Sequence, residues 1–383
     1  MKRGLVFLIS LLVVSLSLFV SAQEVQLTSD LNIVSYDVSG NFVAFSTTDV
    51  ISTEEVCSGE GEERICTMGE TLNKVYLYDL TSDKQTEIGK GSFPIIYKNR
   101  YIFFNDQEDN LALYDLQIPG PWGIFADDYG LNSQMCSANS NTLFCYDPSG
   151  VFYFYNETLG IFQELFHAII DQNIISGYID GMAYHNANVK EIDSSNDYIV
   201  YTQDAMASNG DSITTDVWMY DLDSSTETRI TNNDESQMFP KVSGDTIVWA
   251  ESRTDSNYIG GIKGYRLYYY NLQNQELYQL DLNYDLGRAT PNIDFSDTKL
   301  VWRDSRHFNI PILGRLLYYF LGIGDNQEIY LYDFVTKEEE RITKDSRDQS
   351  YPKVEGSKVF WLDNARDQSK KEQGINNLYY EDF

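Results

Sequence analysis

The sequence has only three histidines and lacks the short motifs of common catalytic and nucleotide-binding sites. No Gly-x-Ser-x-Gly, His-Glu-x-x-His or Gly-rich phosphate loop occurs in it. Acidic pairs such as Asp127/Asp128 carry little information among 58 Asp and Glu residues. These absences favour a protein that is not an enzyme, although His167, His185 and His307 leave a histidine-based lyase open.

Basic charge is also scarce, with 28 Lys and Arg residues and a formal net charge of -30. Phosphate contacts require a basic surface, so this charge argues against nucleic acid as a partner. The excess of acid is typical of a surface that stays soluble in a salty or crowded medium, and specific cation binding is the alternative.

Long apolar runs are limited to one, at 5–20, which follows Lys2 and Arg3 and precedes small residues at 20–22. This pattern predicts a signal peptide over 1–22 and a single mature domain over 23–383. An uncleaved anchor is the alternative, but the run falls short of the roughly 20 residues that span a bilayer. We therefore expect a secreted protein, extracellular or periplasmic and associated with the cell envelope, without a transmembrane segment after cleavage.

The chain has four cysteines, in the equally spaced pairs Cys57/Cys66 and Cys136/Cys145. In an exported protein this arrangement predicts two local disulfides. Zinc binding is the alternative, but these gaps exceed those of a zinc knuckle. No metal site or cofactor is predicted, and calcium stays open. Asn156, in Asn-Glu-Thr, is the glycosylation acceptor pattern.

Two short apolar elements recur along the chain. The first combines aromatic and β-branched residues and ends in an acidic or amide residue, and its copies lie at 75–80, 111–116, 152–156, 217–222, 267–272, 329–334 and 378–383. The second precedes each copy, at 42–45, 101–104, 143–146, 199–201, 247–249, 300–302 and 359–361. Near-continuous apolar strands of this kind are typical of sheets covered on both faces.

The number and spacing of these repeats predict an all-β fold, a single β-propeller of seven four-stranded blades, with six or eight as the alternatives. Most copies of the first element continue into a further strand, such as 227–231 and 340–343, but the last copy ends at Phe383. The missing strand is present at 25–28 (VQLT), which matches the RIT of 229–231 and 341–343. We therefore expect the N-terminal strand to pair in the last blade and close the ring.

The segments 228–231, with Gln237, Pro240 and Gly244, and 341–343, with Gln349, Pro352 and Gly356, carry a resemblance to the TolB-like propellers. These WD40-like repeat proteins occur in bacterial envelopes and on archaeal surfaces. The resemblance is clear over about 186–383 and faint before that. The group includes periplasmic scaffolds, propellers fused to peptidases and some polysaccharide lyases, so the resemblance implies an architecture more than an activity.

The connections of the predicted blades differ in length between the two ends of the disc. Turns between first and second or third and fourth strands are short, and we call their side the tight-turn face. The insertions lie on the opposite side, the long-loop face, at 48–74, 166–187, 203–216, 252–265, 305–327 and 364–376. Long loops on a rigid scaffold are typical of binding surfaces, so the long-loop face is the predicted functional face.

Two groups of residues on the long-loop face are candidate binding residues. The polar group follows the second strands of three blades and consists of Glu251, Arg253, Asp304, Arg306, Asp363 and Arg366, together with Gln237 and Gln349. The apolar group lies in one insertion and consists of Phe308, Ile310, Leu313, Leu316, Leu317, Tyr318 and Phe320. The polar group either joins neighbouring blades or binds a ligand, and the apolar group either folds back or forms an exposed patch.

From these features we expect a non-catalytic propeller that binds a protein partner or a cell-surface polymer through its long-loop face. The alternative is an enzyme acting on polysaccharide in the manner of a uronate lyase. In that case Arg253, Arg306 or Arg366 would hold the substrate carboxylate, and His185 or His307 would assist proton transfer.

Overall fold

The chain forms seven four-stranded antiparallel sheets, and these sheets are the blades of a β-propeller. The computed structural model describes residues 24–29, 31–50, 56–58, 65–67, 71–118, 121–125, 131–139, 141–147, 149–168, 178–179, 182–183, 189–206, 213–254, 262–282, 286, 290–305, 327–344, 347–364 and 376–383. The prediction of an all-β propeller with seven blades is confirmed. No helix among these residues is long and apolar enough to cross a membrane.

The strands of each blade follow one another in sequence from the inner strand outward. Blades 1 to 3 comprise Ile33–Ser39, Phe42–Val50, Thr71–Asp79 and Lys84–Lys90; Ser92–Tyr97, Tyr101–Asn105, Leu111–Asp115 and Pro121–Phe125; and Cys136–Ala138, Leu143–Tyr146, Val151–Asn156 and Ile161–His167. Blades 4 and 5 comprise Val189–Ser194, Tyr198–Met206, Ile213–Asp221 and Thr226–Arg229; and Gln237–Ser243, Thr246–Thr254, Ile262–Asn271 and Glu276–Gln279. Blades 6 and 7 comprise Ile293–Ser296, Lys299–Asp304, Glu328–Asp333 and Glu338–Arg341; and Asp348–Glu355, Lys358–Asn364, Asn376–Asp382 and, from the N-terminus, Val25–Gln26.

Three short elements lie outside the blades or at their margins. Strands Val56–Ser58 and Ile65–Thr67 form a two-stranded sheet inside the second-to-third connection of blade 1. Strands Tyr178–Ile179 and Met182–Ala183 form another between blades 3 and 4. A 3-10 helix at Ser133–Met135 leads into the inner strand of blade 3.

The hydrophobic core is divided into one cluster at each seam between neighbouring blades. The second strands supply the most buried side chains, among them Trp249, Trp302 and Trp361. Trp249 packs in the cluster between blades 4 and 5, Trp302 between blades 5 and 6, and Trp361 between blades 6 and 7. Both faces of each sheet are therefore covered, which explains why these strands are apolar without strict alternation.

The N-terminal strand closes the ring by completing blade 7, as the sequence predicts. Val25 pairs with Tyr380 and Gln26 with Tyr379 in an antiparallel register. The backbone N–H of Leu27 donates to the Leu378 carbonyl at 2.9 Å, and the N–H of Leu378 donates to Thr28 Oγ1 at 2.9 Å. Thr231 and Thr343 accept the corresponding N–H groups of Val217 and Ile329 at 2.9 and 2.8 Å. The first strand thus repeats the outer-strand motif of blades 4 and 6.

A disulfide joins the inner strand of blade 3 to its neighbour. Cys136 and Cys145 pair in the β-register and their sulfurs are 1.97 Å apart, which confirms this predicted disulfide. The inner strand that it holds has only three residues, Cys136–Ala138. Cys57 lies opposite Cys66 in the backbone register of the short sheet in blade 1.

We expect deletion of residues 23–30 to destabilise the whole domain, because it removes the outer strand of blade 7 and unpairs Leu378. Thr28→Val should cost about 1–3 kcal/mol of unfolding free energy, since it leaves a buried N–H without its acceptor. Thr226→Val, on an exposed outer strand, is the control. Thermal and urea unfolding measure the stability of both variants. An unchanged melting temperature for the deletion variant would contradict a stabilising role of the N-terminal strand in blade 7.

The Cys136→Ala/Cys145→Ala variant should lose about 2–4 kcal/mol of unfolding free energy, because the disulfide restricts the unfolded chain around a three-residue strand. Urea unfolding with and without reductant measures this loss. Both proteins carry Cys57→Ala and Cys66→Ala in this comparison, so that reductant acts on Cys136–Cys145 alone, and the reduced protein that keeps Cys136 and Cys145 should match the variant. Equal stability of its oxidised form and the variant would show that strand pairing alone holds blade 3.

Candidate functional site

The structure places the predicted polar group at the long-loop ends of the strands, where most of its members are buried. Gln237, Glu251, Asp304, Gln349 and Asp363 are each at most 8% exposed. Arg253 is half-buried. Arg306, Arg366 and the whole apolar group of Phe308, Ile310, Leu313, Leu316, Leu317, Tyr318 and Phe320 lie outside the described residues, as do His185 and His307.

Gln237 connects blade 4 to blade 5 through its side-chain amide. Its Oε1 lies 2.9 Å from Thr231 Oγ1 in blade 4, and its Nε2 donates to Glu251 Oε2 at 3.2 Å. Asn233 Nδ2 donates to the same Glu251 oxygen at 2.8 Å. The Gln237 and Glu251 side chains therefore belong to a buried network that spans a seam.

The same network recurs between blades 6 and 7. In blade 4, Arg229 forms an ion pair with the buried Asp216, whose Oδ1 is 3.0 Å from Thr231 Oγ1. In blade 6 an ion pair joins Arg341 to the buried Glu328, and Thr343 Oγ1 lies 2.8 Å from Glu328 Oε2 and 3.1 Å from Gln349 Oε1. In both blades an Arg, a Thr and a carboxylate stand beside the Gln of the next blade.

Asp363 and Asp304 have different surroundings from Glu251. Arg347 Nη1 lies 2.9 Å from Asp363 Oδ2, and its Nη2 lies 3.2 Å from Glu24, just before the closing strand. Asp304 lies directly opposite Glu328 in the register of blade 6. Sequence reasoning missed Arg347, because its partner Glu24 is distant along the chain and reaches it only through ring closure.

The predicted acceptor Asn156 and the histidine His167 lie in blade 3. Asn156 is at the third-to-fourth turn, on the tight-turn face, where its Nδ2 donates to Gln163 Oε1 at 2.7 Å. His167 is exposed, and its Nε2 is 3.0 Å from Glu164 Oε1. Among the described residues, no three His, Cys, Asp or Glu side chains are arranged to hold a metal ion.

A central cavity of about 670 Å³, which sequence reasoning missed, lies between the inner strands. Its walls come from the halves of the inner strands that lead to the tight turns, in all seven blades. Exposed turn residues such as Asn196, Gly244 and Asp297 line its mouth. The cavity therefore reaches the tight-turn face, opposite to the face that the loop lengths indicate.

One position of each blade, third from the hydrogen-bonded pair that closes the first hairpin, forms a ring around this cavity. In blades 3 and 4 that pair lies one residue beyond the inner strand, where the N–H groups of Asn139 and Ser195 donate to the carbonyls of Thr142 and Tyr198. The residues at that position are Asp37, Ile95, Ser137, Asp193, Lys241, Asp294 and Lys353. Carboxylates and ammonium groups alternate over the five blades from blade 4 round to blade 1. We call this set the charged ring.

Ion pairs connect the charged ring across the seams. Lys353 Nζ of blade 7 is 2.7 Å from Asp37 Oδ1 of blade 1. Lys241 Nζ is 3.4 Å from Asp193 Oδ1 and 3.8 Å from Asp294 Oδ1. The ring therefore links blades 4, 5 and 6 and closes the seam between blades 7 and 1.

The second oxygen of each ring carboxylate accepts a backbone N–H from the next blade. Ile96 donates to Asp37 at 2.8 Å, Val242 to Asp193 at 2.9 Å and Val354 to Asp294 at 2.9 Å. The inner strand is the edge of each sheet, so such N–H groups have no strand to pair with. Carboxylates of the preceding blade satisfy three of them.

The lysines of the charged ring keep their charge in spite of their position. Burial lowers the pKa of Lys241, but the charges of Asp193 and Asp294 outweigh burial and hold this pKa above the ordinary value. The same balance, with Asp37 as the main carboxylate, raises the pKa of Lys353. Burial raises the pKa of Asp193, although Lys241 opposes this shift.

A second tier of polar side chains lines the cavity nearer its mouth. It occupies the hairpin end of each inner strand and consists of Ser39, Asn139, Ser195, Ser243, Ser296 and Glu355. The matching residue of blade 2, Tyr97, is buried and donates to the Asn141 carbonyl at 2.7 Å. We call these six residues the hydroxyl tier, since four are serines.

Comparison with known proteins gives likenesses of fold and none of sequence. No protein-family profile and no curated relative matches the chain. The β-propeller domain of the Trilobed protease from Pyrococcus furiosus, described as having an open velcro topology, matches with a TM-score of 0.58, 13% identity and coverage of 92% of this chain and 94% of that one. The chain is a seven-bladed β-propeller. Its own N-terminal strand pairs within the last blade.

Two further solved structures share the propeller fold. An acylaminoacyl peptidase from Pyrococcus horikoshii matches with a TM-score of 0.58 and 12% identity, over 87% of this chain and 49% of the peptidase. The chain thus spans about half the length of that enzyme. An oligogalacturonate lyase from Vibrio parahaemolyticus matches with a TM-score of 0.52 and 14% identity, over 94% and 98% of the two chains. At these identities the likeness shows the fold alone.

We expect Lys353→Met to lower the free energy of unfolding by about 1–3 kcal/mol at neutral pH, because Asp37 loses its cation inside the channel. The control is Lys358→Met, which removes the exposed Lys358–Asp382 pair and should cost less than about 1 kcal/mol.

Above neutral pH, the difference in unfolding free energy between wild type and Lys353→Met should persist until strong alkali. A raised lysine pKa stabilises the fold below the pKa of the unfolded chain, and this contribution is lost as the pH rises through the folded value. Urea unfolding at several pH values measures it. A loss of the difference near neutral pH would contradict a charged Lys353.

Proposed function

We propose that this protein is a secreted or envelope-associated binding propeller without catalytic activity, related to the TolB-like group. It recognises a protein partner or a cell-surface polymer through its long-loop face. The observation that carries the proposal is the distribution of the connections. The segments between Val50 and Thr71, His167 and Val189, Asp304 and Glu328, and Asn364 and Asn376 all leave the same face.

The opposite face supports this assignment, because none of its described turns carries an insertion. First-to-second turns are as short as that between Ser243 and Thr246, and the longest third-to-fourth turn joins Asp115 to Pro121. Gly244 and Gly356 adopt φ values of 52° and 58° in such turns, which suits tight hairpins. Large loops of varied sequence on one side of a rigid ring provide a binding surface at little cost to the fold.

The buried polar networks provide the rigidity that such a surface needs. Gln237 and Gln349 hold the bases of the loops of blades 5 and 7 to the preceding blades. Loops that begin from fixed positions lose less conformational entropy when a partner orders them. The polar group then acts as the support of the binding face.

The test compares the mature protein with a variant in which 306–326 is replaced by a short Gly-Ser linker. Both are attached through a cysteine introduced at Ser224, on the tight-turn face, and exposed to crosslinked envelope fractions and to purified envelope polymers. We expect one defined species to bind the intact protein and to be lost from the variant. A variant with altered residues 335–337, in the corresponding turn of blade 6, is attached through the same cysteine as the control and should bind as the wild type does.

Two results would contradict this function. Equal binding by the intact and linker-containing proteins would show that the loop 306–326 does not contact the partner. The same replacement of 365–375 would then be tested, and equal binding by that variant too would contradict the long-loop face as the binding surface. Release of unsaturated ends from uronate polymers by the mature protein would show that it is an enzyme.

A further inference from the structure

The central cavity differs in chemistry from the long-loop face and does not depend on the function proposed for that face. Its volume of about 670 Å³ is within the range of roughly 300–1,000 Å³ that is usual for small-ligand sites. The cavity is open on the tight-turn face, where the exposed residues Asn196, Gly244 and Asp297 surround it. A small solute can therefore reach it from outside.

The hydroxyl tier offers groups that both donate and accept hydrogen bonds. The Oγ atoms of Ser39, Ser243 and Ser296 have no protein partner within the described part of the chain, and all three residues are half-buried in the cavity wall. A serine hydroxyl provides one donor and two acceptor positions. Three such groups around one opening suit a ligand that carries several hydroxyls.

Below this tier, the charged ring places donors and acceptors side by side. Lys241 lies between Asp193 and Asp294, with N–O distances of 3.4 and 3.8 Å, and an ammonium has three N–H groups to share. A hydroxyl can donate to one of these carboxylates while it accepts from the ammonium. Neighbouring hydroxyls on one molecule match this alternation.

The ion pairs of the cavity favour a neutral ligand over a charged one. The charged ring has three carboxylates and two ammonium groups, and Glu355 and Asp297 add two carboxylates nearer the mouth, so an anion meets an excess of negative charge. A cation would have to replace Lys241 or Lys353 beside ring carboxylates that already accept backbone N–H groups. A polyanion is further opposed by the net charge of -30 on the chain. A neutral polar molecule incurs neither cost.

The wall at blade 2 is apolar, in contrast to the rest of the cavity. Phe93, Pro94 and Ile95 line it there, and Phe93 and Ile95 are half-buried. Such a wall suits the C–H face of a ring-shaped molecule whose hydroxyls point towards the opposite side. The cavity thus has one apolar side and one side rich in hydrogen-bonding groups.

We propose that the central cavity, at its mouth on the tight-turn face, is a binding site for a neutral saccharide of one or two units. Lys241, Asp294, Ser243 and Ser296 bind its hydroxyls, and Phe93 and Ile95 contact its ring.

The test is a titration of the mature protein with glucose, galactose, N-acetylglucosamine and maltose, followed by calorimetry and ligand-observed NMR. Glucosamine and galacturonate serve as charged probes of similar shape. We expect at least one neutral sugar to bind in the millimolar range or more tightly. The Ser243→Ala/Ser296→Ala variant should weaken this binding by about tenfold, since each hydrogen bond contributes a few-fold. Ser224→Ala, outside the cavity, should leave it unchanged.

Ser296→Trp, which fills the cavity mouth, should abolish the binding. If this variant does not fold, the double serine variant decides, because it removes only two hydroxyls from the cavity wall and should leave the melting temperature within a few degrees of the wild type. Three results would overturn the proposal: no binding of any neutral sugar, tighter binding of glucosamine or galacturonate than of every neutral sugar, or equal binding by wild type and the double serine variant. Each is independent of whether the long-loop face binds a partner.

Discussion

In a closed ring of sheets every blade presents the edge of its inner strand to the central channel, and the unpaired N–H groups of that edge must be satisfied. Asp37, Asp193 and Asp294 each satisfy one such group, and each does so on the following blade. Each contact therefore satisfies a backbone N–H group and also fixes the position of one blade against the next. Lys241 and Lys353 likewise form ion pairs with carboxylates of a neighbouring blade. The Lys353–Asp37 pair joins blade 7, which contains both ends of the chain, to blade 1.

The outer strands depend on closure in a complementary way. Thr231, Thr343 and Thr28 each accept one N–H from the neighbouring third strand. Arg229 and Arg341 donate from Nε to the carbonyls of Thr231 and Thr343, and Gln26 Nε2 donates to the carbonyl of Thr28 in the same manner. The closing strand thus keeps the geometry of the repeat without its arginine. The opposing third-strand position changes with it, from the acids Asp216 and Glu328 to the neutral Asn377.

Much of the architecture could be predicted from the sequence because it depends on local patterns. The second and third strands are apolar since both faces of a blade are covered, and QLT at 26–28 aligns with the RIT of the outer-strand repeat. The charged ring could not be predicted in this way. A β-bulge lies just before Ile95, Lys241 and Lys353, where Phe93, Phe239 and Tyr351 adopt positive φ ahead of a proline. A bulge shifts the alternation of side chains by one, so counting along the sequence does not show which residues face each other across the channel.

The same reasoning explains why the two faces of the ring differ. At the long-loop ends the acids after the second strands, such as Glu251 and Asp363, are buried and joined to Gln237 and Arg347. These acids form contacts that hold the blades together, so we expect the loops to supply the groups that contact a partner on that face. At the tight-turn ends none of the described turns covers the central cavity, so the residues of the inner strands line its open side. There, half-buried ion pairs border an accessible cavity, so the lysine and carboxylate side chains that join the blades also line the space that a solute can enter.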